Sequence, residues 1–210
     1  MSLTELADNS RTDKNTCHSY LPLYQTLLES KKDTARNILE VGICNGGSIK
    51  LWHDFFVNAS IHAIDIQSLG DLWNELKNKD RIKLYTERSA YTEKTTDLFK
   101  NIKFDFLLDD GPHTLDSQKD FIRLYSPLLA EGGLLIIEDV QSLDWLDVLE
   151  SVTPDHLKPY IKTYDLRKNK GRWDDIVFTI NLNQIQPEPG LRSPDPSLSS
   201  CLSGHVAVHQ

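Results

Sequence analysis

Short apolar runs alternate with amphipathic stretches along most of the chain. Asn37–Val41 (NILEV), Ile61–Asp65 (IHAID), Ile82–Tyr85 (IKLY), Phe104–Asp109 (FDFLLD) and Leu134–Asp139 (LLIIED) read as strands. The first, fourth and fifth are nearly continuous in apolar residues, the pattern of strands covered on both faces. Helical patterns occupy the intervals: YLPLYQTLLES before the first strand, then SIKLWHDFF, SLGDLWNELKN (68–78), YTEKTTDLFKN and TLDSQKDFIRLYSPLL. EGG at 131–133 reads as a helix stop and turn before the fifth strand. This alternation predicts an α/β fold with a doubly wound, mostly parallel sheet. YIKTYDL and DIVFTINL, separated by the polar turn RKNKGRWD, read as an antiparallel hairpin closing the sheet edge.

The pattern stops near residue 182. Residues 183–210 are rich in Pro and Ser, with no periodicity that would bury a face, and read as a disordered tail without an assigned function. A single domain over 1–182 is expected, with 1–36 as an N-terminal lid and helix segment. A formal charge of −8 and a pI near 5.3 argue against a nucleic-acid or membrane-surface partner. No apolar stretch is long enough to span a bilayer. Cys17, Cys44 and Cys201 are too widely spaced for a zinc site or a disulfide framework, which fits a reducing, cytoplasmic location. A homo-oligomer is left open.

The chemistry gathers at strand ends. In ILEVGICNGGS the first strand ends at Val41 and a helix starts near Ser48. Gly42, Gly46 and Gly47 between them allow a sharp turn and the approach of backbone N–H groups to a ligand. Asp65 ends the next strand, where an acid can bind both hydroxyls of a ribose. An ordinary tight strand–helix turn would look the same without Asp65. Glu40, two residues before the first glycine, would repel a pyrophosphate but suits a ligand carrying an ammonium and a sulfonium. That favours S-adenosylmethionine over NAD. The run E-V-G-x-x-x-G-G-S followed by A-I-D-I resembles the class I methyltransferases, although Cys44 stands where their motif commonly has its middle glycine. The resemblance implies a Rossmann-like fold.

The second constellation is LLDDGPH at 107–113 and IIEDV at 136–140. In a parallel sheet the C-terminal ends of neighbouring strands lie side by side, so Asp110, Glu138 and Asp139 should converge, with His113 above them. Three converging carboxylates call for a cation, and a hard divalent ion with oxygen ligands answers that need. Three separately solvated loop acids are the plainer alternative. These residues resemble the metal-dependent sugar O-methyltransferases of macrolide biosynthesis (mycinamicin type) and the related cephalosporin-hydroxylase-like proteins, which carry a DDGSH loop and an IED strand end. Pro112 replaces the serine here. The resemblance implies Asp110, Glu138 and Asp139 as ligands of Mg²⁺ (or Mn²⁺), and His113 as general base. It implies Lys14, Tyr20, Glu40, Gly42, Asn45, Gly46, Ser48, Asp65, Ser89 and Asp109 as cofactor-binding residues.

RTDKNTCHSYLPLYQ resembles the same family's N-terminal T-D-K…H-x-Y…Y segment, which lies over the cofactor. Lys14, His18, Tyr20 and Tyr24 are therefore candidates for closing the site, while Tyr24 and Leu27 equally fit the buried face of a first helix. Arg88 and Ser89 in TERSAY could touch adenine or be a solvated loop. Arg172, Asp174 and Asp175 read as a structural turn near the last strand, with a role at the substrate edge as the alternative. The implied activity is Mg²⁺-dependent methyl transfer to a sugar hydroxyl of a glycan or glycosylated small molecule. A catechol-type phenol methyltransferase and a nucleotide-binding module without turnover are the alternatives.

Overall fold

A computed structural model describes residues 1–68, 76 and 78–183. The helical pattern at 68–78 lies largely, and the tail almost wholly, outside the described residues. The strands are β1 (Asn37–Val41), β2 (Ser60–Ile64), β3 (Ile82–Tyr85), β4 (Phe104–Asp109), β5 (Leu129–Ile137), β6 (Ile161–Asp165) and β7 (Ile176–Asn181). The helices are α1 (Leu3–Leu6), α2 (Tyr20–Leu28), α3 (Gly47–Phe55), α4 (Glu93–Thr96), α5 (Leu115–Tyr125), α6 (Asp144–Val152) and α7 (Arg167–Lys170).

One seven-stranded sheet has the order β3-β2-β1-β4-β5-β7-β6. The first five strands pair in parallel, and β7 runs antiparallel to both β5 and β6. The predicted edge hairpin is present, but its second strand is the inner one. IVFTIN is buried throughout, whereas β6 is half-exposed. The more apolar strand takes the interior place and the amphipathic one takes the edge.

Side-chain alternation sorts the core into two layers. Ile38, Phe106, Leu108 and Ile136 pack with Tyr20, Tyr24, Trp52 and Phe56. Leu39, Val41, Leu107, Ile137 and Phe178 pack with Phe121, Ile122 and Tyr125. Two expectations shift. EGG is absorbed into β5: Leu129 pairs with Phe104 and Leu134 with Phe106, and the extra residues bulge out at Gly132, φ +65°. The strip 144–152 forms α6, which the apolar pattern did not single out. It keeps only Leu149 fully buried. No helix among the described residues is long and apolar enough to cross a membrane.

Candidate active site

The C-terminal ends of β1, β2 and β4 open onto a cavity of about 710 Å³, within the range of small-molecule sites. Gly42, Asn45, Asp65, Ser89, Asp110 and His113 line it, as do Ile66, Arg88 and Tyr91. The glycine loop is shaped by close approach. A Cβ on Gly42, φ +95°, would stand 2.0 Å from the carbonyl oxygen of Asp110, so β1 and β4 can meet there only with glycine. A Cβ on Gly47 would strike the Arg11 backbone at 2.4 Å, where the N-terminal segment crosses the start of α3. Asp65 holds the loop closed: Oδ2 accepts from Ile43 N at 2.8 Å and Cys44 N at 3.4 Å, and Oδ1 from Gln67 N at 2.8 Å. A smaller cavity of about 320 Å³ lies between residues 9–16 and the same loop, and Ser48 lines it.

The predicted acids converge beside the large cavity, and a cation is already among them. Lys14, 1% exposed, places its ammonium 2.6 Å from Asp110 Oδ2 and 3.7 Å from Glu40 Oε1, and in contact with Glu138 Oε1. Burial pulls the Lys14 pKa down, but Asp110, Glu138 and Glu40 outweigh it and hold the ammonium well above its ordinary value. Tyr24 donates to Glu138 Oε2, so both oxygens of Glu138 are taken. Tyr20 donates to Asp139 Oδ1. Glu40 is wholly buried and accepts from Trp52 Nε1 at 2.7 Å. Burial pushes its carboxyl up to about 7 against the pull of Lys14.

The other oxygen of each aspartate faces His113. His113 Nε2 lies 3.8 Å from Asp110 Oδ1 and 3.6 Å from Asp139 Oδ2. Ligand atoms of these three residues all lie within 4.8 Å of one another, a grouping able to hold a hard divalent ion. His113 and Asp139 both take left-handed backbone, each at φ +54°. For non-glycine residues that conformation costs on the order of 1–3 kcal/mol. Gln118 supports the second of them, its Nε2 donating to the carbonyls of Glu138 at 3.2 Å and Asp139 at 3.4 Å.

Several residues fall elsewhere than the sequence suggested. Lys14 and Tyr20, expected over the cofactor, reach the acids instead, and neither they nor Glu40 line the cavity. Asp109 is buried and accepts from Tyr91 OH at 2.5 Å; burial lifts its carboxyl to about 7. Gly46, φ +79°, precedes α3 and serves the turn. His18, read as part of a lid, is buried with Nδ1 2.6 Å from Asp175 Oδ1 and 3.3 Å from Asp139 Oδ1. Tyr91 and Ile66 were not anticipated. Ile66, 70% exposed beside Asp65, was detectable as an apolar residue in a polar loop.

The strand order, the glycine turn and the acids at the ends of β4 and β5 are those of one fold family, and a methyltransferase-domain profile matches residues 39–140. Residues 39–140 carry a methyltransferase domain. Among curated proteins the domain is similar to the 8-demethyl-8-alpha-L-rhamnosyl tetracenomycin-C 2'-O-methyltransferase of Streptomyces olivaceus, 24% identical over 151 residues, covering 68% of this chain and 39% of that protein. It is similar to the demethylmacrocin O-methyltransferase of Streptomyces fradiae, 26% identical over 68% of this chain and 37% of that protein. It is similar to the mycinamicin VI 2''-O-methyltransferase of Micromonospora griseorubida, 24% identical over 68% and 37%. The match thus spans well under half the length of these relatives. The solved structure of the MycE methyltransferase in complex with Mg and SAH superposes with a TM-score of 0.69 at 20% identity, over 92% of this chain and 57% of that one. At that identity the likeness establishes the fold.

Proposed function

We propose that the domain transfers a methyl group from S-adenosylmethionine to a sugar hydroxyl of a glycosylated small molecule, with Mg²⁺ (or Mn²⁺) held beside the cavity. The observation that carries this reading is the pair of acid oxygens, Asp110 Oδ1 and Asp139 Oδ2, turned towards His113 at the cavity rim. Lys14 is a single positive charge among Glu40, Asp110 and Glu138, and burial and the charge of Asp110 raise the Glu138 carboxyl well above its ordinary value, a cost that a divalent ion would offset. The names of several relatives, which print a rhamnosyl or olivosyl group on the methylated compound, support the acceptor class.

Bound S-adenosylmethionine would supply an electrophilic methyl, and bound Mg²⁺ a Lewis acid. The chain's own residues do the rest. Asp65 and Ser89 hold the nucleoside end of the cavity, with Ile66 offering an apolar surface. Asn45 and the glycine loop flank the other end. Asp110 and Asp139 would hold the cation. Glu138, expected as a third ligand, stands behind them with its oxygens on Lys14 and Tyr24. His113 Nε2 takes the proton of the attacking hydroxyl, a step worth about 10²–10⁴ in rate.

Isothermal titration with S-adenosylmethionine and with NAD, each with and without Mg²⁺, tests the cofactor. Single-turnover methyl transfer to methyl α-rhamnopyranoside after EDTA treatment and Mg²⁺ return tests the rest. Preference for NAD, or full turnover in EDTA, overturns the proposal. Turnover on catechol but not on the glycoside selects the phenol reading, and binding without any turnover selects the binding module.

A further inference from the structure

Asp139 Oδ1 meets two partners, and both come from the N-terminal segment. Tyr20 donates its hydroxyl to this oxygen, and His18 Nδ1 lies 3.3 Å from it. Among the described residues Oδ2 meets only His113 Nε2, at 3.6 Å. The carboxylate can rotate about its Cα–Cβ and Cβ–Cγ bonds, and its backbone is held in the left-handed region at φ +54°. Something must choose which oxygen turns outward. The Tyr20 ring is in no position to drift: it is wholly buried, with ring centroids 4.9 Å from His18 and 5.7 Å from Tyr24 in a stack of three. Its neighbour His18 is anchored in turn by Asp175 Oδ1 at 2.6 Å, and Ser19 Oγ donates to Asp175 Oδ2 at 3.1 Å.

We infer that Tyr20 is a positioning residue for the cation site. Its hydroxyl ties down Oδ1 of Asp139 and so presents Oδ2, beside Asp110 Oδ1, to a divalent ion. Lys14 does the same for Asp110 by taking Oδ2. The stacked segment would then act from behind the site, orienting a ligand as hydrogen-bonded partners of metal ligands do. The inference rests on the cation reading of Asp110 and Asp139.

The test is Mn²⁺ binding to the enzyme without cofactor or acceptor, read from the free-Mn²⁺ electron paramagnetic resonance signal. Wild type, Tyr20→Phe and Tyr125→Phe are compared. Tyr125 is a matched control: its buried hydroxyl donates to Ala90 O at 2.8 Å, in the other core layer. Tyr20→Phe should weaken Mn²⁺ binding by about ten- to a hundredfold, the usual range for an outer-shell partner, and Tyr125→Phe should leave it within about twofold. Melting curves in EDTA should fall for both, which separates lost positioning from lost packing. If Tyr20→Phe does not fold, Tyr20→Met fills the space without a donor and carries the same expectation. Unchanged Mn²⁺ affinity in a folded Tyr20 variant overturns the inference. Failure of the wild type to bind Mn²⁺ at all overturns the cation reading instead.

Discussion

The two halves of the sheet's C-terminal rim are built on opposite principles. Over β1 and β2 the wall is mostly backbone: a glycine loop, its amides held by Asp65, around an open cavity. Over β4 and β5 the wall is charge, mostly buried, with Lys14, Asp110, Glu138 and Asp139 beside Tyr20 and Tyr24 and with Glu40 of β1 reaching in from below. The first half spends little free energy on its shape and can accept a large ligand. The second requires each ion to have its partner, because an unpaired buried charge is severely destabilising. A binding surface can be assembled from local turns, whereas a reactive one needs long-range neutralisation.

Removing His113 is the most severe way to break the charged half without touching the other. His113→Ala should lower single-turnover methyl transfer by about 10²–10⁴ and leave S-adenosylmethionine affinity unchanged by titration. A variant within a few-fold of wild type would make the loop a clamp and no more. Lys14→Met should come next. It leaves three acids without their ammonium, and breaking a buried pair in this way costs about 3–5 kcal/mol. Urea unfolding reads that loss, and Lys14→Met with Glu138→Gln should recover part of it. A Lys14→Met protein as stable as wild type would mean the acids are already neutral.

The other half has its own buried titrating group. His62 on β2 is 1% exposed, its ring facing Tyr85, Phe99 and Phe104. Burial holds it down at about 4, below its ordinary 6.5. Above pH 6.5 the neutral form is shared by folded and unfolded chains and stability is whole. Between 6.5 and 4 only the unfolded chain takes the proton, so stability falls, by roughly 3 kcal/mol in all. Denaturant midpoints from pH 7 to 4 should lose that component in His62→Phe; an unchanged slope refutes it. The smallest effect belongs to the open wall. Asp65→Ala should weaken S-adenosylmethionine binding by about 1–3 kcal/mol, and equal affinity in the variant would remove Asp65 from the ribose.

How legible each half was follows from the same contrast. The parallel strands and the closing hairpin follow from apolar runs, and the glycine loop with Asp65 follows from residues within one β-α-β stretch. The convergence of Asp110 and Asp139 follows from strand order alone. What the pattern could not reveal is the identity of their partners. Lys14 meets Asp110 across 96 positions and Glu138 across 124, and no local periodicity encodes such a pairing. EGG and α6 were obscured for a smaller reason. A bulge keeps turn-like residues inside a strand, and a helix with one fully buried side chain leaves a faint stripe.

The buried stack of His18, Tyr20 and Tyr24 also bears on how the molecule is made. In synthesis these residues precede their partners, since Asp139 and Asp175 come 119 and 157 positions later. Lys14 and the tyrosines thus emerge long before Asp110, Glu138 and Asp139, the acids they hydrogen-bond. Closing so long a loop is slow, because its entropy is lost before the contacts form. A nascent chain can pair β1 with β2 and shape the glycine loop while still tethered. The charged half can form only after β7 has been synthesised and inserted between β5 and β6. Of the two halves, the charged one is therefore the later to form.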